Sequence, residues 1–177
     1  IIYFWRDVVG MMRGALDLVQ RRTTANSRLV FHVVIGTIPI VLVGLAMKVT
    51  HLDDHIRSPL LVAANAIVFG ILLYAADAFG LMTRMIKDMN WVSAIIIGVA
   101  QAFALSPGTS RSGITMTAAR ALGFNRVEAA RYSFLLSIPA NGAASALVIG
   151  DALKNGEPIS GPVIMTGVLT FFVALLA

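Results

Sequence analysis

Five stretches of the chain carry no Asp, Glu, Lys or Arg: residues 29–47, 58–76, 91–110, 132–150 and 158–177. Each approaches the roughly 20 apolar residues that cross a bilayer as a helix. The third stretch differs from the rest. It runs into Ser106-Pro107-Gly108-Thr109-Ser110-Arg111-Ser112-Gly113, and apolar character resumes only over 114–124. Two short apolar arms around a polar turn predict a re-entrant helical hairpin over 91–125, entering and leaving on one side. The other windows predict full spans. Upstream, Arg6, Gly10, Arg13 and Asp17 share one helical stripe, with Phe4, Trp5, Val8, Val9, Met12, Leu16 and Val19 elsewhere. That pattern predicts a helix end running into an interfacial amphipathic segment. The predicted class is all-α, a polytopic membrane helix bundle with a re-entrant hairpin.

Charge placement tests this topology. If the helix at Leu29 starts in the cytoplasm, Arg6, Arg13, Arg21, Arg22, Arg28, Arg84, Lys87, Arg120, Arg126 and Arg131 lie inside. Lys48, Arg57 and Lys154 lie outside, and Arg111 sits in the hairpin. Ten against three satisfies the positive-inside rule. A single crossing over 91–124 would move Arg120, Arg126 and Arg131 outside and spoil the asymmetry. The hairpin therefore enters from the cytoplasmic side.

Composition narrows the class further. The 177 residues are 58% hydrophobic and only 13% charged, with mean hydropathy +0.83. A soluble domain would carry about twice that share of charge. The net charge of +5 does not point to nucleic acid, because the basic residues form no stripe with interleaved aromatics. Without cysteine the chain has no thiol catalysis, disulfide or Cys-ligated zinc. No basic leader or cleavage site precedes Ile1, and both ends fall inside apolar stretches, so a piece of a longer protein is expected.

The hairpin turn carries the chemistry. An ionisable residue at membrane depth is costly and functional by default. A Pro-Gly break at that depth is tolerated only where it is buried in protein or lines a watery cavity. Arg111 offers a planar, permanently charged fork suited to paired phosphate oxygens; the flanking proline and glycines argue against a snorkelling arginine. Gly108 and Gly113 allow a sharp turn with N–H groups close to an anion. The arm starting near Ile114 would point a helix N-terminus at it. Thr109, Ser110, Ser112 and Thr115 could donate to phosphoryl oxygens, act as a nucleophile, or satisfy freed backbone. A nucleophile needs an adjacent base, and none is near in sequence. A Walker A loop fails for want of Gly-Lys, and a nucleophile elbow fails on its glycine spacing.

Elsewhere the pattern is less specific. Gln101, on the first arm, suits helix–helix bonding. Ser137 and Asn141 flank Pro139 and could line the same cavity or relieve the proline break. Asp77 reads as an interfacial anchor and His32 as a tie to a neighbouring helix. His51 and His55 beside Asp53 and Asp54 invite a metal, but lack a third histidine. Gly70, Ala75, Ala143 and Ala144 read as close helix packing.

At the hairpin the chain resembles the undecaprenyl-diphosphate phosphatases, the bacitracin-resistance proteins of bacteria. The motifs are Ile97-Gly98-Val99-Ala100-Gln101, Pro107 to Gly113 with Thr115, and Ser133-Phe134-Leu135-Leu136-Ser137-Ile138-Pro139. Gly123, Ala129 and Ala130, and Thr37-Ile38-Pro39 with Gly44, also fit. The resemblance implies an inverted-repeat architecture in which each half brings a re-entrant hairpin to mid-membrane. Residues 1–28 would form an interfacial helix and cytoplasmic loop, 29–90 complete the first repeat, and 91–177 form the second. The family's first hairpin, with a Glu-x-x-x-Glu-type motif and a Ser-Ser-Ser-Gly-His run, is absent: the only glutamates are Glu128 and Glu157.

The implied activity is hydrolysis of undecaprenyl diphosphate to the monophosphate and inorganic phosphate in the bacterial plasma membrane, with the fragment alone inactive. The candidate catalytic residues are Arg111, Ser110 and Ser112; the candidate substrate-binding residues are Gly108, Thr109, Gly113, Thr115 and Gln101. The resemblance further implies a divalent cation, Mg or Ca, with ligands outside this chain, a polyprenyl diphosphate as partner, and a homodimer as an option. A lipid-phosphate or anion transporter using the same anion site is the alternative.

Overall fold

The computed structural model describes residues 5–50, 58–80 and 83–154, and of the remainder 165–167, 169–170 and 173. Their regular structure is helical apart from one bridge pair, Arg84 with Phe124. The helices are α1 (Trp5–Val19), α2 (Ala25–Thr50), α3 (Pro59–Phe79), α4 (Trp91–Ala102), α5 (Arg111–Ala121) and α6 (Arg126–Lys154). Three of them, α2, α3 and α6 over Arg126–Gly150, are long and apolar enough to cross a membrane. They contain the predicted spans 29–47 and 132–150, and 58–76 apart from Ser58, which caps α3. The predicted hairpin is α4, a broken turn and α5. The last predicted span, 158–177, lies largely outside the described residues, as do His51, Asp53, Asp54, His55, Arg57 and Glu157.

The chain divides into a compact unit up to Ala140 and a second from Asn141. The second is described as the last part of α6 and the scattered helical residues beyond it. There Ala143 is half-buried and Ala144 is exposed.

In the first unit the polar pattern is turned inward. Ser27, Thr37, Ser93, Gln101, Thr109, Thr115, Arg120 and Ser133 are buried, while many large apolar side chains are exposed. Lipid tails are as apolar as leucine, so these helices associate through close packing and hydrogen bonds. α1 is one continuous helix from Trp5, and the stripe expected on it splits. Gly10 and Asp17 turn toward the protein while Arg6 and Arg13 stay exposed. A Cβ on Gly14 would lie 2.5 Å from the Asn26 carbonyl oxygen, so only glycine permits this approach to α2. The Thr24 hydroxyl donates to Asp17 (2.8 Å), and Thr24 and Ser27 cap the start of α2 reciprocally.

α2 and α4 run parallel and nearly touch. A Cβ on Gly98 would lie 2.2 Å from the Gly36 carbonyl oxygen, and Gly44 faces Leu105 further along. Val33, Ala94, Ile97, Tyr132, Leu135 and Leu136 fill the core where α2, α4 and α6 meet. The tie expected of His32 runs through its carbonyl, which accepts from the Tyr132 hydroxyl at 2.9 Å. Gly70 departs from expectation, since a Cβ there would meet nothing within 4 Å among the described residues.

One end of this unit is stitched by arginines. Arg84 donates to the Leu122 carbonyl (3.0 Å) and the Asp88 carbonyl (2.9 Å), and covers the Phe124 ring at 4.4 Å. Arg131 of α6 pairs with Asp7 of α1 and with Glu128. Arg120, read as a loop charge, is 2% exposed. It donates to Asp77 Oδ1 (3.0 Å), the Asp77 carbonyl (3.0 Å) and the Phe124 carbonyl (2.8 Å). Arg126 reaches the same carboxylate, so Asp77 anchors α3 to both α5 and the start of α6.

Candidate functional site

The turn between α4 and α5 is built by local chemistry. Asn90 caps α4, accepting from the Ser93 N–H at 2.8 Å. A 3-10 turn, Phe103–Leu105, ends the arm before Pro107. Gly108 has φ of +88°, a conformation L side chains rarely adopt, and a Cβ there would lie 2.3 Å from the Val62 carbonyl oxygen. Ser110 caps α5, its Oγ accepting from the Gly113 N–H at 3.2 Å. A side chain at Gly113 would crowd that cap, its Cβ lying 3.0 Å from Ser110 Cβ.

α3 holds the turn from the side. Asn65 Nδ2 donates to Ser106 Oγ (2.8 Å) and to the Pro107 carbonyl (2.7 Å). Asn65 was not among the expected site residues; its only signal is a lone amide in a charge-free window. With Val62 and Asn65 beside the turn and Asp77 beside Arg120, α3 and α5 run parallel. At about 1.5 Å per residue the turn stands roughly 18–22 Å from the Asp77 end of α3. Leu105 beside Gly44 gives an independent measure on α2, six residues, or roughly 9 Å, short of Thr50.

The expected residues divide by role. Arg111 opens α5 and is half-buried; Ser110 and Ser112 are exposed, with hydroxyl oxygens 3.4 Å apart. Gly108 is exposed as well. Thr109 is buried, and its hydroxyl has no partner among the described residues. Gln101 is wholly buried, with both amide atoms likewise unpartnered. Thr115 differs: its Oγ1 donates to the Arg111 carbonyl (2.9 Å) and lies 2.5 Å from Ser133 Oγ. That hydroxyl fastens α5 to α6. Ser137 is taken by its own helix, donating to the Phe134 carbonyl at 2.6 Å. Asn141 belongs to the second unit.

The turn thus brings together an arginine, two exposed hydroxyls and the start of a helix, with no carboxylate from residues 106–115. Helix N-termini and arginine both favour anions rich in oxygen. A hard divalent cation takes mainly carboxylate and carbonyl oxygens, and the described residues contain no group of three acids or histidines that could hold one. The donor set of the turn does not by itself fit such a cation.

Across its whole length, residues 1–177, the sequence matches the family described as Bacitracin resistance protein BacA. A protein of Erythrobacter litoralis named undecaprenyl-diphosphatase is 42% identical, over 99% of this chain and 70% of that protein. One of the same name from Marinobacter nauticus is 40% identical, over 100% and 67%. Undecaprenyl-diphosphatase 1 of Rhodospirillum rubrum is 39% identical, over 98% and 61%. The chain spans about two thirds of the length of these relatives.

Proposed function

The chain belongs to the bacitracin resistance protein family, and from that we propose that the complete protein hydrolyses undecaprenyl diphosphate to undecaprenyl phosphate and inorganic phosphate. This recycles the lipid carrier for cell-wall synthesis and would confer bacitracin resistance. Its setting is the plasma membrane of a bacterium. The observation that carries the reading is the polar turn at 106–113, anchored by Asn65 among helices of membrane length.

In the reaction, the oxygen of water bonds to the terminal phosphorus as the bridging oxygen departs on the lipid monophosphate, and the proton of water passes to a base. Arg111 clamps the non-bridging oxygens and offsets the charge that builds as the bond breaks, and in phosphoryl transfer this charge stabilisation does most to lower the barrier. Ser110 and Ser112 donate to the same oxygens, and the first N–H groups of α5 point the helix dipole at them. Gln101 and Thr109 are polar groups whose partners come from substrate, water or the rest of the complete protein. Thr115 positions the arginine by holding α5 on α6. The base, and the carboxylates of any Mg or Ca, come from outside this chain. A homodimer would use a face such as that of α3, where no residue is buried in this chain.

The arginines at the Asp77 end support a cytoplasmic placement of that end. With a hydrocarbon core of about 30 Å, a turn roughly 18–22 Å along α3 lies beyond the midplane, toward the outer face. The proposal is tested with purified complete protein in sealed liposomes. Steady phosphate release from undecaprenyl diphosphate, without movement of the lipid between leaflets, is expected. Lipid movement or anion flux without phosphate release would make the protein a transporter.

A further inference from the structure

A second polar cleft lies far from the turn, where the first residues of α1, α2 and α6 meet. It encloses about 400 Å³ and is lined by Trp5, Arg6, Val9, Gly10, Arg13, Asn26, Leu29 and Arg131, with Asp7. Its charges are unevenly satisfied. Asp7 and Glu128 are engaged by Arg131, and Asp17 by the Thr24 hydroxyl. Among the described residues neither Arg6 nor Arg13 has a carboxylate partner; Arg6 lies over the Trp5 ring at 5.6 Å. The two arginines are seven positions apart, two helical turns, and so project from one face of α1. Between them Gly10 leaves a notch whose nearest neighbour is the Asn26 amide, 3.7 Å from where a Cβ would stand. Asn26 is exposed, and its amide is another donor open to a ligand.

We propose that this cleft binds the phosphodiester headgroup of an anionic glycerophospholipid of the cytoplasmic leaflet. Arg6 and Arg13 would flank the phosphate and Asn26 would bond a headgroup oxygen. Val9, Leu29 and Trp5 would cover the glycerol and the first acyl carbons. The cleft is amphipathic in the way such a lipid is, and the indole sits where tryptophan anchors at an interface. Basic pockets between helices on this side take phosphate headgroups. The inference rests on the membrane orientation above and not on the hydrolytic reaction.

The test uses the complete protein, delipidated in neutral detergent and offered equimolar phosphatidylglycerol and phosphatidylcholine, with retained lipid counted by native mass spectrometry. Wild type is expected to retain phosphatidylglycerol by roughly tenfold, and Arg6→Gln with Arg13→Gln to lose that preference. Gly10→Leu, which fills the notch but keeps both charges, should lose it too, while Arg21→Gln with Arg22→Gln should keep it. Equal retention of the two lipids by wild type, or a preference surviving in R6Q/R13Q and in G10L, overturns the proposal. Displacement by millimolar inorganic phosphate as efficiently as by soluble glycerophosphoglycerol would mean a free-phosphate site and overturn it as well. Phosphate release from undecaprenyl diphosphate, measured in parallel, reports separately on the proposed activity.

Discussion

Replacing Gly108 with alanine tests whether the turn must sit against α3. The new Cβ would stand 2.3 Å from the Val62 carbonyl oxygen, and ordinary contact begins at 3.4 Å, so the loop must retreat by about 1 Å. The obstacle is backbone and cannot rotate away. Holding alanine at φ of +88° adds about 1 kcal/mol, and forced overpacking about 1–3 kcal/mol. A destabilisation of about 2–4 kcal/mol follows, or a loop displaced from Asn65 and carrying Ser110 and Arg111 with it. A misplacement of about 1 Å costs about a hundredfold in rate. The assay is steady-state phosphate release by the complete protein, with thermal melting in the same detergent. Gly70→Ala is the control: nothing lies within 4 Å of its Cβ, and helix propensity favours alanine by about 1 kcal/mol. G108A should melt lower than wild type and lose about two orders of magnitude in rate; G70A should do neither. If G108A matches G70A in both readouts, the packing of the turn on α3 is not what positions the site.

Two further outcomes follow from buried polar groups. Asp77→Ala strands the buried Arg120 guanidinium without its carboxylate, and should lower the melting temperature more than Arg126→Ala, whose side chain is 66% exposed; equal effects would mean the network gains nothing from burial. Gln101→Leu keeps the volume and removes the buried amide, so it should lower phosphate release; a destabilised but fully active Q101L would assign the amide a packing role.

The helices were legible because membrane helices must satisfy their backbone internally, so apolar length alone marks them. The helix–turn–helix over Trp91–Ala121 was legible as two short apolar arms around a polar run. What stayed hidden depends on distant partners. Asn65 bonds Ser106 and Pro107, more than 40 positions away, and a lone amide in an apolar run cannot announce which helix it will meet. Arg120 counted as a loop charge because its spacing says nothing of Asp77, 43 residues earlier. Thr115 belongs by motif to the ligand set, and its bonds to the Arg111 carbonyl and to Ser133, 18 positions on, could not be read from that motif. Gly70 read as packing because a small residue in a helix looks the same whether it meets a neighbour or open space.

The most direct measurement is phosphate release from undecaprenyl diphosphate by the complete protein carrying Arg111→Lys. Lysine keeps the positive charge and gives up the two-pronged contact. A loss of about a hundredfold in kcat, with the fold intact by melting, is the predicted result. Turnover at the wild-type rate would contradict the account and remove Arg111 from the chemistry.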